Sequence, residues 1–333
     1  MTLSLLPGSQ SIAETGACVA AAQRIAVVAH VNPDADAIGS VLGLALGLRA
    51  LGKDVTAALS DAVPEYARFL PGADSIGAQL PSESLDLIIC ADSASIERIG
   101  DLYTANTHRF VATTIVNIDH HRTNPLYGRV NYVDAAASST SELIVRLLCE
   151  LGVSIGPEAA DALLFGVVGD TGSFRNGATT PGSLVAAAQL VEQGADIQRI
   201  AFQLFESKRF VAAQIWGRVV SAAELDSVRG IVFAYLSQQM LRECGATVDE
   251  TEGIAEYLRG VQEAEVVMLL KEAEDGAMRV SMRSRPSVDV SAIASALDGG
   301  GHRQAAGCTI PGPYSRARAT LVEVFDHELE PLT

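Results

Sequence analysis

Cysteine is scarce in this 333-residue chain, and its five copies are widely separated and never in a CxxC spacing. This argues against a disulfide framework and against a cysteine-ligated zinc site, and it predicts reduced thiols in a cytoplasmic protein. Basic residues are absent before Arg24, so the N-terminus lacks the charged start of a secretory signal. The longest apolar run, SVLGLALGLRALG, contains Arg49 and is shorter than the about 20 residues of a membrane helix, so it predicts a buried helix.

Basic and aromatic residues are also few. Lys and Arg number 24 against 40 Asp and Glu, the formal net charge is -16, and aromatic residues make up 5% of the chain. Such a chain offers neither a long basic groove nor a stacking platform, so we expect no long duplex nucleic acid as a partner. A small phosphorylated substrate is still compatible with this charge, because bound divalent cations can reverse the sign of a site. The 48% hydrophobic content predicts two well-filled cores.

Short β-branched runs alternate with helical patterns over the first 190 residues. The predicted strands are RIAVVAH, DVTAAL, LDLIICAD, TIVNIDHH and NYVDA. The predicted helices include one from about Asp36 to Leu51, closed by Gly52, and the segments SSTSELIVRLLCEL and PEAADALLFGVVGD. This alternation predicts an α/β fold with a doubly wound, mostly parallel sheet in residues 1–190.

Composition changes after about residue 190. Residues 191–225 have a helical pattern and are predicted to form a linker. Beyond them, GIVFAYL, EAEVVMLLKE and AMRVSMRSR predict strands and VSAIASAL predicts a helix. We therefore expect a second, smaller C-terminal α/β domain over residues 226–333, with the active site in the cleft between the two domains.

Side chains of metal-ligand type follow the predicted strands of the first domain. They are His30, Asp92 and the triplet Asp119, His120 and His121. In an open parallel sheet the carboxyl ends of the strands share one crevice, so these side chains can converge there. Asp34 and Asp36 come just before the first helix, and Asp170 joins the group if the loop after it folds back over the crevice.

The types of ligand indicate which metal such a site would hold. Carboxylates and imidazoles without cysteine favour Mn²⁺ or Mg²⁺, and the presence of imidazole favours Mn²⁺. Clustered carboxylates in a partly dry cleft repel one another, and two divalent cations would offset that repulsion. We therefore expect two Mn²⁺ ions, with Mg²⁺ as the alternative.

Each of these residues also has a structural explanation when it is considered alone. Asp36 could cap the helix that follows it, and Asp92 could cap the next turn. His30 could be a hydrogen-bonded core histidine, and His120 could be structural as well. The occurrence of HxxxDxD, a strand-end Asp, DHH and GDTG in this order favours the metal site.

These motifs resemble those of the DHH phosphoesterase superfamily. The motifs are HVNPDADAIGS, the Asp of LIICAD, IDHH and GVVGDTGSFRN, and the segments MRVSMRSR and DGGGHRQAAG resemble the DHH-associated C-terminal domain. The resemblance implies that His30, Asp34 and Asp92 hold one Mn²⁺, and that the second is held by Asp36, Asp92, His120 and Asp170. It also implies catalytic roles for His121, next to the scissile phosphate, and for Asp119, which would orient a ligating imidazole.

The same resemblance implies a substrate-binding set. It comprises Gly299, Gly300, Gly301 and His302 as a phosphate cradle, Arg283 as a nucleotide contact, and Arg175 and Asn176 beyond the last metal ligand. Two alternatives stay open: a glycine-rich turn that binds nothing, and a surface-loop role for Arg175 and Asn176.

The length and the two-domain layout resemble one branch of the superfamily. Its members cleave short oligoribonucleotides, of about two to five nucleotides, to nucleoside 5′-monophosphates and dephosphorylate pAp to AMP. A phosphodiesterase of pApA or cyclic di-AMP, a family II-type pyrophosphatase and a nucleotide sensor without catalysis remain as alternatives. The relatives also lead us to expect a homodimer.

Overall fold

The apolar, β-branched runs of the first half form one parallel sheet. The structure is a computed structural model that describes residues 10–328, and for His302 the backbone alone. The strands are β1 (Arg24–Val28), β2 (Asp54–Ala58), β3 (Leu87–Ala91), β4 (Thr114–Asp119) and β5 (Val130–Val133). Their order is β2-β1-β3-β4-β5, and every described pair is parallel. The predicted parallel α/β sheet is confirmed.

The strand order creates a crevice at one point of this sheet. From β1 the chain moves outward to β2 and then returns across β1 to β3, so the direction of winding reverses between β1 and β3. Ligand sites in open parallel sheets lie at such a reversal, beyond the carboxyl ends of the strands. All five residues of β3 are buried, as expected for a strand that is covered on both faces.

Helices cover both faces of the first sheet, so the fold is doubly wound as predicted. They are α1 (Ile12–Ala21), α2 (Ala35–Ala50), α3 (Asp101–Thr104), α4 (Thr107–Ala112), α5 (Thr140–Glu150), α6 (Pro157–Asp170), α7 (Pro181–Glu192) and α8 (Ile197–Ala201), which a π-helical turn (Phe202–Glu206) extends. Short 3₁₀ turns lie at Glu65–Ala67, Ala73–Ser75 and Ile96–Ile99. The larger core contains Val27 of β1 together with side chains of α2, α5 and α6, and the smaller one contains Val28 with Leu102 and Phe110.

Helices α2 and α6 pack at very short distance because glycine lies at their contact. A β-carbon on Gly39 would lie 2.4 Å from the carbonyl oxygen of Ala162, and one on Gly169 would lie 2.4 Å from the β-carbon of Ala35. Real β-carbons do not approach other atoms this closely, so glycine allows the two backbones to touch. The contact brings the N-terminus of α2 beside the C-terminus of α6, where Asp170 is the last residue.

The second half forms a mixed sheet of six strands. They are β6 (Glu224–Asp226), β7 (Ile231–Leu236), β8 (Val266–Glu272), β9 (Met278–Ser284), β10 (Gly300–His302) and β11 (Ala305–Ile310). The order is β10-β11-β9-β8-β7-β6, with β7 and β8 parallel and the other pairs antiparallel. The glycine-rich DGGGHRQAAG segment therefore forms a β-hairpin, which the sequence pattern did not predict.

Helices also cover both faces of the second sheet. They are α9 (Phe210–Ser221), α10 (Gln238–Cys244), α11 (Ile254–Leu258), α12 (Val290–Ser295) and α13 (Tyr314–Glu328), with a 3₁₀ turn at Asp249–Thr251. α12 and α13 pack on one face, and α9, α10 and α11 on the other. The chain divides into two compact units between Ser207 and Lys208, and Ile215 and Val219 of α9 belong to a core of the second unit.

The structure also describes every cysteine and the apolar helices. All five cysteines are free, so no disulfide bond crosslinks the chain. Within residues 10–328, no helix combines the length and the apolar character that crossing a membrane requires.

We expect Gly39→Ala to destabilise the protein by about 1–3 kcal/mol, because the added methyl group must push α2 away from the backbone of α6. Gly217→Ala is a matched control, since Gly217 is an exposed helical glycine whose β-carbon would meet no atom within 4 Å. That change should stabilise the protein by about 0.5–1 kcal/mol. Urea unfolding of the two variants measures both effects, and equal stabilities would contradict the tight helix contact.

Candidate metal centre

The six predicted ligands, together with His121, converge at the carboxyl edge of the first sheet. Their side chains form three overlapping groups, in each of which the ligand atoms lie within 4.8 Å of one another. The groups are His30, Asp34 and Asp92; Asp36, His120 and Asp170; and Asp92, His120 and His121. Asp92 and His120 each belong to two groups, so the three form one continuous centre.

His30 is oriented by its own backbone neighbour. Its Nδ1 lies 2.8 Å from the carbonyl oxygen of Val31, and because a carbonyl can only accept, Nδ1 carries a proton. Nε2 then points at two carboxylates, 3.4 Å from Oδ2 of Asp92 and 3.8 Å from Oδ2 of Asp34. His30 is only 3% exposed, yet it faces carboxylates and not the apolar core.

Asp34, and not Asp36, caps the first long helix. Its Oδ1 accepts hydrogen bonds from the backbone N–H groups of Asp36 and Ala37, at 3.1 and 3.0 Å, and α2 begins at Ala35. The alternative that Asp36 is the N-cap is therefore wrong. Because only Oδ1 is used in the cap, Oδ2 of Asp34 can face His30.

Asp36 is fully buried and binds the N-terminus of another helix. Its carboxylate accepts the backbone N–H groups of Thr140 and Ser141, the first two residues of α5, at 2.6 and 2.9 Å. These groups have no partner within their own helix, so the contact satisfies both. The third N–H group of α5, from Glu142, donates to the Ser139 side chain.

Asp92 lies between His30 and His120. Oδ2 faces His30, whereas Oδ1 is 3.7 Å from Nε2 of His120 and accepts a hydrogen bond from the Thr140 hydroxyl at 3.0 Å. Its backbone has a φ of 52°, a left-handed conformation that aspartate tolerates better than most residues. The 3₁₀ turn that follows has Ser95 as its N-cap, so the alternative role of Asp92 as a turn cap is wrong.

His120 and His121 point to different partners. Nε2 of His120 lies 3.3 Å from Oδ2 of Asp170. Nδ1 of His121 lies 2.7 Å from Oδ1 of Asp119, a residue with no exposed surface. Asp119 therefore orients the imidazole that the motif pattern leaves over from metal binding, and not that of His120.

Burial and mutual repulsion shift the pKa values of this centre. Burial raises the pKa of Asp36 to about 7, and the charge of Asp92 adds to the rise. Burial and the charges of Asp36 and Asp92 also hold the pKa of Asp170 well above its usual range. Burial opposes protonation of His30, but hydrogen bonds to Asp34 and Asp92 outweigh it and raise the pKa of His30 to about 10. Protons thus partly compensate the concentrated negative charge.

The geometry fits divalent cations. Two ligand atoms that each lie about 2.1 Å from one ion, at about a right angle, are about 3 Å apart. The contacts of His30 and His120 with the carboxylates span 3.3 to 3.8 Å, longer than good hydrogen bonds and suitable for atoms around a shared ion. Imidazole nitrogen facing carboxylate oxygen is also a donor set that Mn²⁺ accepts.

The predicted substrate-binding residues are divided between the two units of the chain. Arg175 and Asn176 are exposed just after α6, where Asn176 donates to the carbonyl of Asp170 at 2.8 Å and Arg175 lies over the ring of Phe205. In the second unit, Arg283 is paired with Glu256. The side chain of His302 lies outside the described part of the structure.

The three glycines before His302 differ in their surroundings. β-Carbons on Gly299 and Gly301 would lie 2.3 and 2.5 Å from the backbone oxygens of Gly307 and Ala305, so close packing within the hairpin requires both glycines. A β-carbon on Gly300 would meet no atom within 4 Å. Among the described residues, Gly300 is thus the one of these three glycines that has open space beside it.

Sequence reasoning missed four residues that touch or influence the centre. They are Thr140, Ser141, Asn124 and Arg98. The Asp119 hydrogen bond raises the pKa of His121, and the nearby positive charge of Arg98 opposes that rise. Asn124 follows the DHH triplet by only three residues, but Thr140 and Ser141 are more than 100 residues from Asp36, and no local pattern connects them.

Comparison with known proteins gives matches along most of the chain. Residues 24–167 match the family model described as "DHH family, N-terminal domain", and residues 230–330 match the "DHHA1 domain". The chain is 34% identical over 310 residues to the bifunctional oligoribonuclease and PAP phosphatase NrnA of Thermus thermophilus, across 92% of this chain and 90% of that protein. It is 30% identical over 285 residues to NrnA of Bacillus subtilis, across 84% and 87% of the two chains.

One solved structure matches nearly the whole chain. It is an exopolyphosphatase-related protein from Bacteroides fragilis, with a TM-score of 0.88 and 24% identity across 98% of each chain. This match shows that the two proteins share a fold.

Binding of Mn²⁺ at this centre should release at least one proton per protein at pH 7. His30, with a pKa of about 10, and Asp36, with a pKa of about 7, must lose protons to become ligands. The apparent Kd should therefore fall as pH rises from about 6 to about 8. Calorimetric titration in two buffers of different ionisation enthalpy measures the release, and a heat that does not depend on the buffer would contradict the assignment. The His30→Gln variant should release fewer protons on Mn²⁺ binding than the unmodified protein, because it lacks the imidazole proton.

Proposed function

The chain belongs to the DHH family of phosphoesterases, and we propose that it is a hydrolase of short oligoribonucleotides and of pAp. The products would be nucleoside 5′-monophosphates from the oligonucleotides and AMP from pAp. The observation that carries the proposal is the convergence of the six assigned ligands at the carboxyl edge of the sheet, in groups that overlap through Asp92 and His120. Relatives that carry this activity in their names match both units of the chain.

We assign two Mn²⁺ ions to the centre. His30, Asp34 and Asp92 would hold one, and Asp36, Asp92, His120 and Asp170 the other. The two oxygens of Asp92 face His30 and His120 separately, which supports a bridging role. Bound divalent cations lower the pKa of water and offset charge on phosphoryl oxygens.

The side chains around the centre supply orientation and proton transfer. The Val31 carbonyl and Asp119 fix the ring orientations of His30 and His121. With Nδ1 of His121 bonded to Asp119, Nε2 is the nitrogen that can give a proton to the leaving oxygen. The N-terminus of α5 holds Asp36 in place through two N–H groups.

Substrate binding is assigned to Arg175, Asn176, Arg283, the glycine-rich segment and His302. Gly300 supports this because its position is open, and exposed Arg175 lies directly after the helix that carries Asp170. Arg283 would have to exchange Glu256 for a phosphate, since the two are paired. We place the protein in the cytoplasm, and its five free cysteines support that location.

A direct test compares Mn²⁺-dependent turnover of five substrates: a short RNA, pAp, pApA, cyclic di-AMP and pyrophosphate. We expect cleavage of the RNA dinucleotides and of pAp, with little turnover of the cyclic compound or of pyrophosphate. Strong preference for pApA or cyclic di-AMP would indicate a phosphodiesterase of signalling dinucleotides instead. Turnover of pyrophosphate would overturn the proposal. Nucleotide binding without turnover would indicate a sensor.

Replacing Asp92 by Asn should remove the shared ligand while keeping the shape of the side chain. We expect turnover to fall more than about 100-fold, above the 10–100-fold typical of losing an outer partner of a metal ligand. Stabilisation by Mn²⁺, about 2.7 kcal/mol at a concentration of 100 Kd, should also shrink.

Asp86→Asn is the matched control for this change. Asp86 precedes β3 as Asp92 follows it, and its carboxylate accepts the backbone N–H groups of Gln23 and Arg24 at the opposite end of the sheet. Turnover and the Mn²⁺-dependent rise in Tm should both be retained in this variant. Near-normal activity of Asp92→Asn would refute the bridging role.

A further inference from the structure

Asn124 is part of a buried hydrogen-bond network behind His121. Its Nδ2 donates to Oδ2 of Asp119 at 2.6 Å and to Oδ1 of Asn117 at 2.7 Å. Its Oδ1 accepts the backbone N–H of Leu126 at 2.8 Å, which fixes the amide with Nδ2 towards Asp119. Asn124 is 7% exposed, and Asp119 and Asn117 have no exposed surface.

The two oxygens of Asp119 are divided between two partners. Oδ1 bonds Nδ1 of His121 at 2.7 Å, and Oδ2 bonds Asn124. A buried carboxylate needs donors on both oxygens, and without Asn124 Oδ2 would lose the hydrogen bond at 2.6 Å. The carboxylate could then rotate, and the ring of His121, which is only partly buried, would lose its fixed direction.

We propose that Asn124 is a positioning residue for the reaction, and that it acts through Asp119 on the imidazole of His121. The inference rests on the proposed function. The chain Asn124–Asp119–His121 holds Nδ1 of the imidazole towards the protein, so Nε2 is presented to the leaving group. The side-chain amide of Asn124 donates to Asp119, Asn117 and the Ser93 carbonyl, and to none of the six residues assigned to the ions. Its backbone N–H donates to the carbonyl of His121 at 3.2 Å, a contact that a change of the side chain leaves in place.

The step that depends on this orientation is protonation of the leaving oxygen. Water oxygen bonds to phosphorus, the bond from phosphorus to the leaving 3′-oxygen breaks with its electron pair on that oxygen, and this oxygen takes the proton from Nε2 of His121. The proton lost by the attacking water restores the imidazolium through solvent. A leaving group that is stable as an anion does not need this proton.

The experiment therefore compares two dinucleotides that differ in one atom. In the second, sulfur replaces the bridging 3′-oxygen, and it leaves as a thiolate, since thiols have a pKa of about 8.5. Asn124→Leu keeps a branched side chain but has no donor. We expect it to lower kcat on the natural dinucleotide about 10–100-fold with KM little changed, and to lower kcat on the sulfur analogue less than about 3-fold.

Two further variants separate positioning from a general structural role. Tyr127→Phe is the control, because the Tyr127 hydroxyl hydrogen-bonds Ser93 and Asn117 in the same network and does not hydrogen-bond Asp119. It should affect both substrates equally and slightly. The double variant Asn124→Leu, Asp119→Asn should have nearly the same kcat on the natural dinucleotide as Asp119→Asn alone, because both changes act through one chain of contacts.

The outcomes distinguish this inference from the proposed function. Equal loss on both dinucleotides with Asn124→Leu, or additive effects in the double variant, would overturn the positioning role. Unchanged kcat of Asn124→Leu on the natural dinucleotide would overturn it as well. Failure of the unmodified protein to cleave the natural dinucleotide would overturn the proposed function instead. Tm and Mn²⁺ affinity, measured on each variant, show whether the fold and the centre are intact.

Discussion

The hydrogen bonds between the Asp36 carboxylate and the N-terminus of α5 are the contact on which the rest of the centre depends. Asp36 lies in the first turn of α2, and its two acceptor contacts join that helix to α5. Helix α6 passes so close that a β-carbon on Gly166 would lie 2.7 Å from Oδ1 of Asp36. Three helices are thus fixed around one buried carboxylate, and Asp170 at the end of α6 takes its position from this arrangement. The positive end of the α5 dipole offsets part of the cost of burying the charge.

The carboxylates at this edge of the sheet can be buried together because hydrogen-bond donors and protons compensate their negative charge. Backbone N–H groups donate hydrogen bonds to Asp34 and Asp36, and the Thr140 hydroxyl donates one to Asp92. The raised pKa of His30 keeps a proton on its ring, and this positive charge reduces the remaining repulsion between the carboxylates. Cations that replace those protons would bind the folded protein and not the unfolded chain, so they would add to stability by mass action. With metal bound as proposed, the centre would couple folding to metal concentration and to pH. The apolar strands and the glycine contact between α2 and α6 supply the rigid frame that keeps the carboxylates close.

In the second unit, the glycines of one short motif have different surroundings. Gly299 and Gly301 lie against backbone oxygens of their own hairpin, whereas Gly300 faces open space. The motif therefore forms a tight hairpin, and its open position is compatible with the substrate contact that we propose. Arg283 is likewise engaged with Glu256, so binding an anion there requires an exchange of partners.

Residue types and their order along the chain were sufficient to predict the parallel sheet, its helices on both faces and the set of candidate ligands. The physical reason is that parallel strands bring their carboxyl ends to one edge, so a ligand type after each strand has one common destination. The sequence could not show that Asp34 rather than Asp36 caps α2, that Asp119 orients His121, or that the glycine-rich segment pairs as a hairpin. Those choices depend on contacts such as Asp36 with Thr140, which lie 104 residues apart. Local periodicity does not encode such pairings; only packing the helices and strands against one another decides which donor reaches which carboxylate.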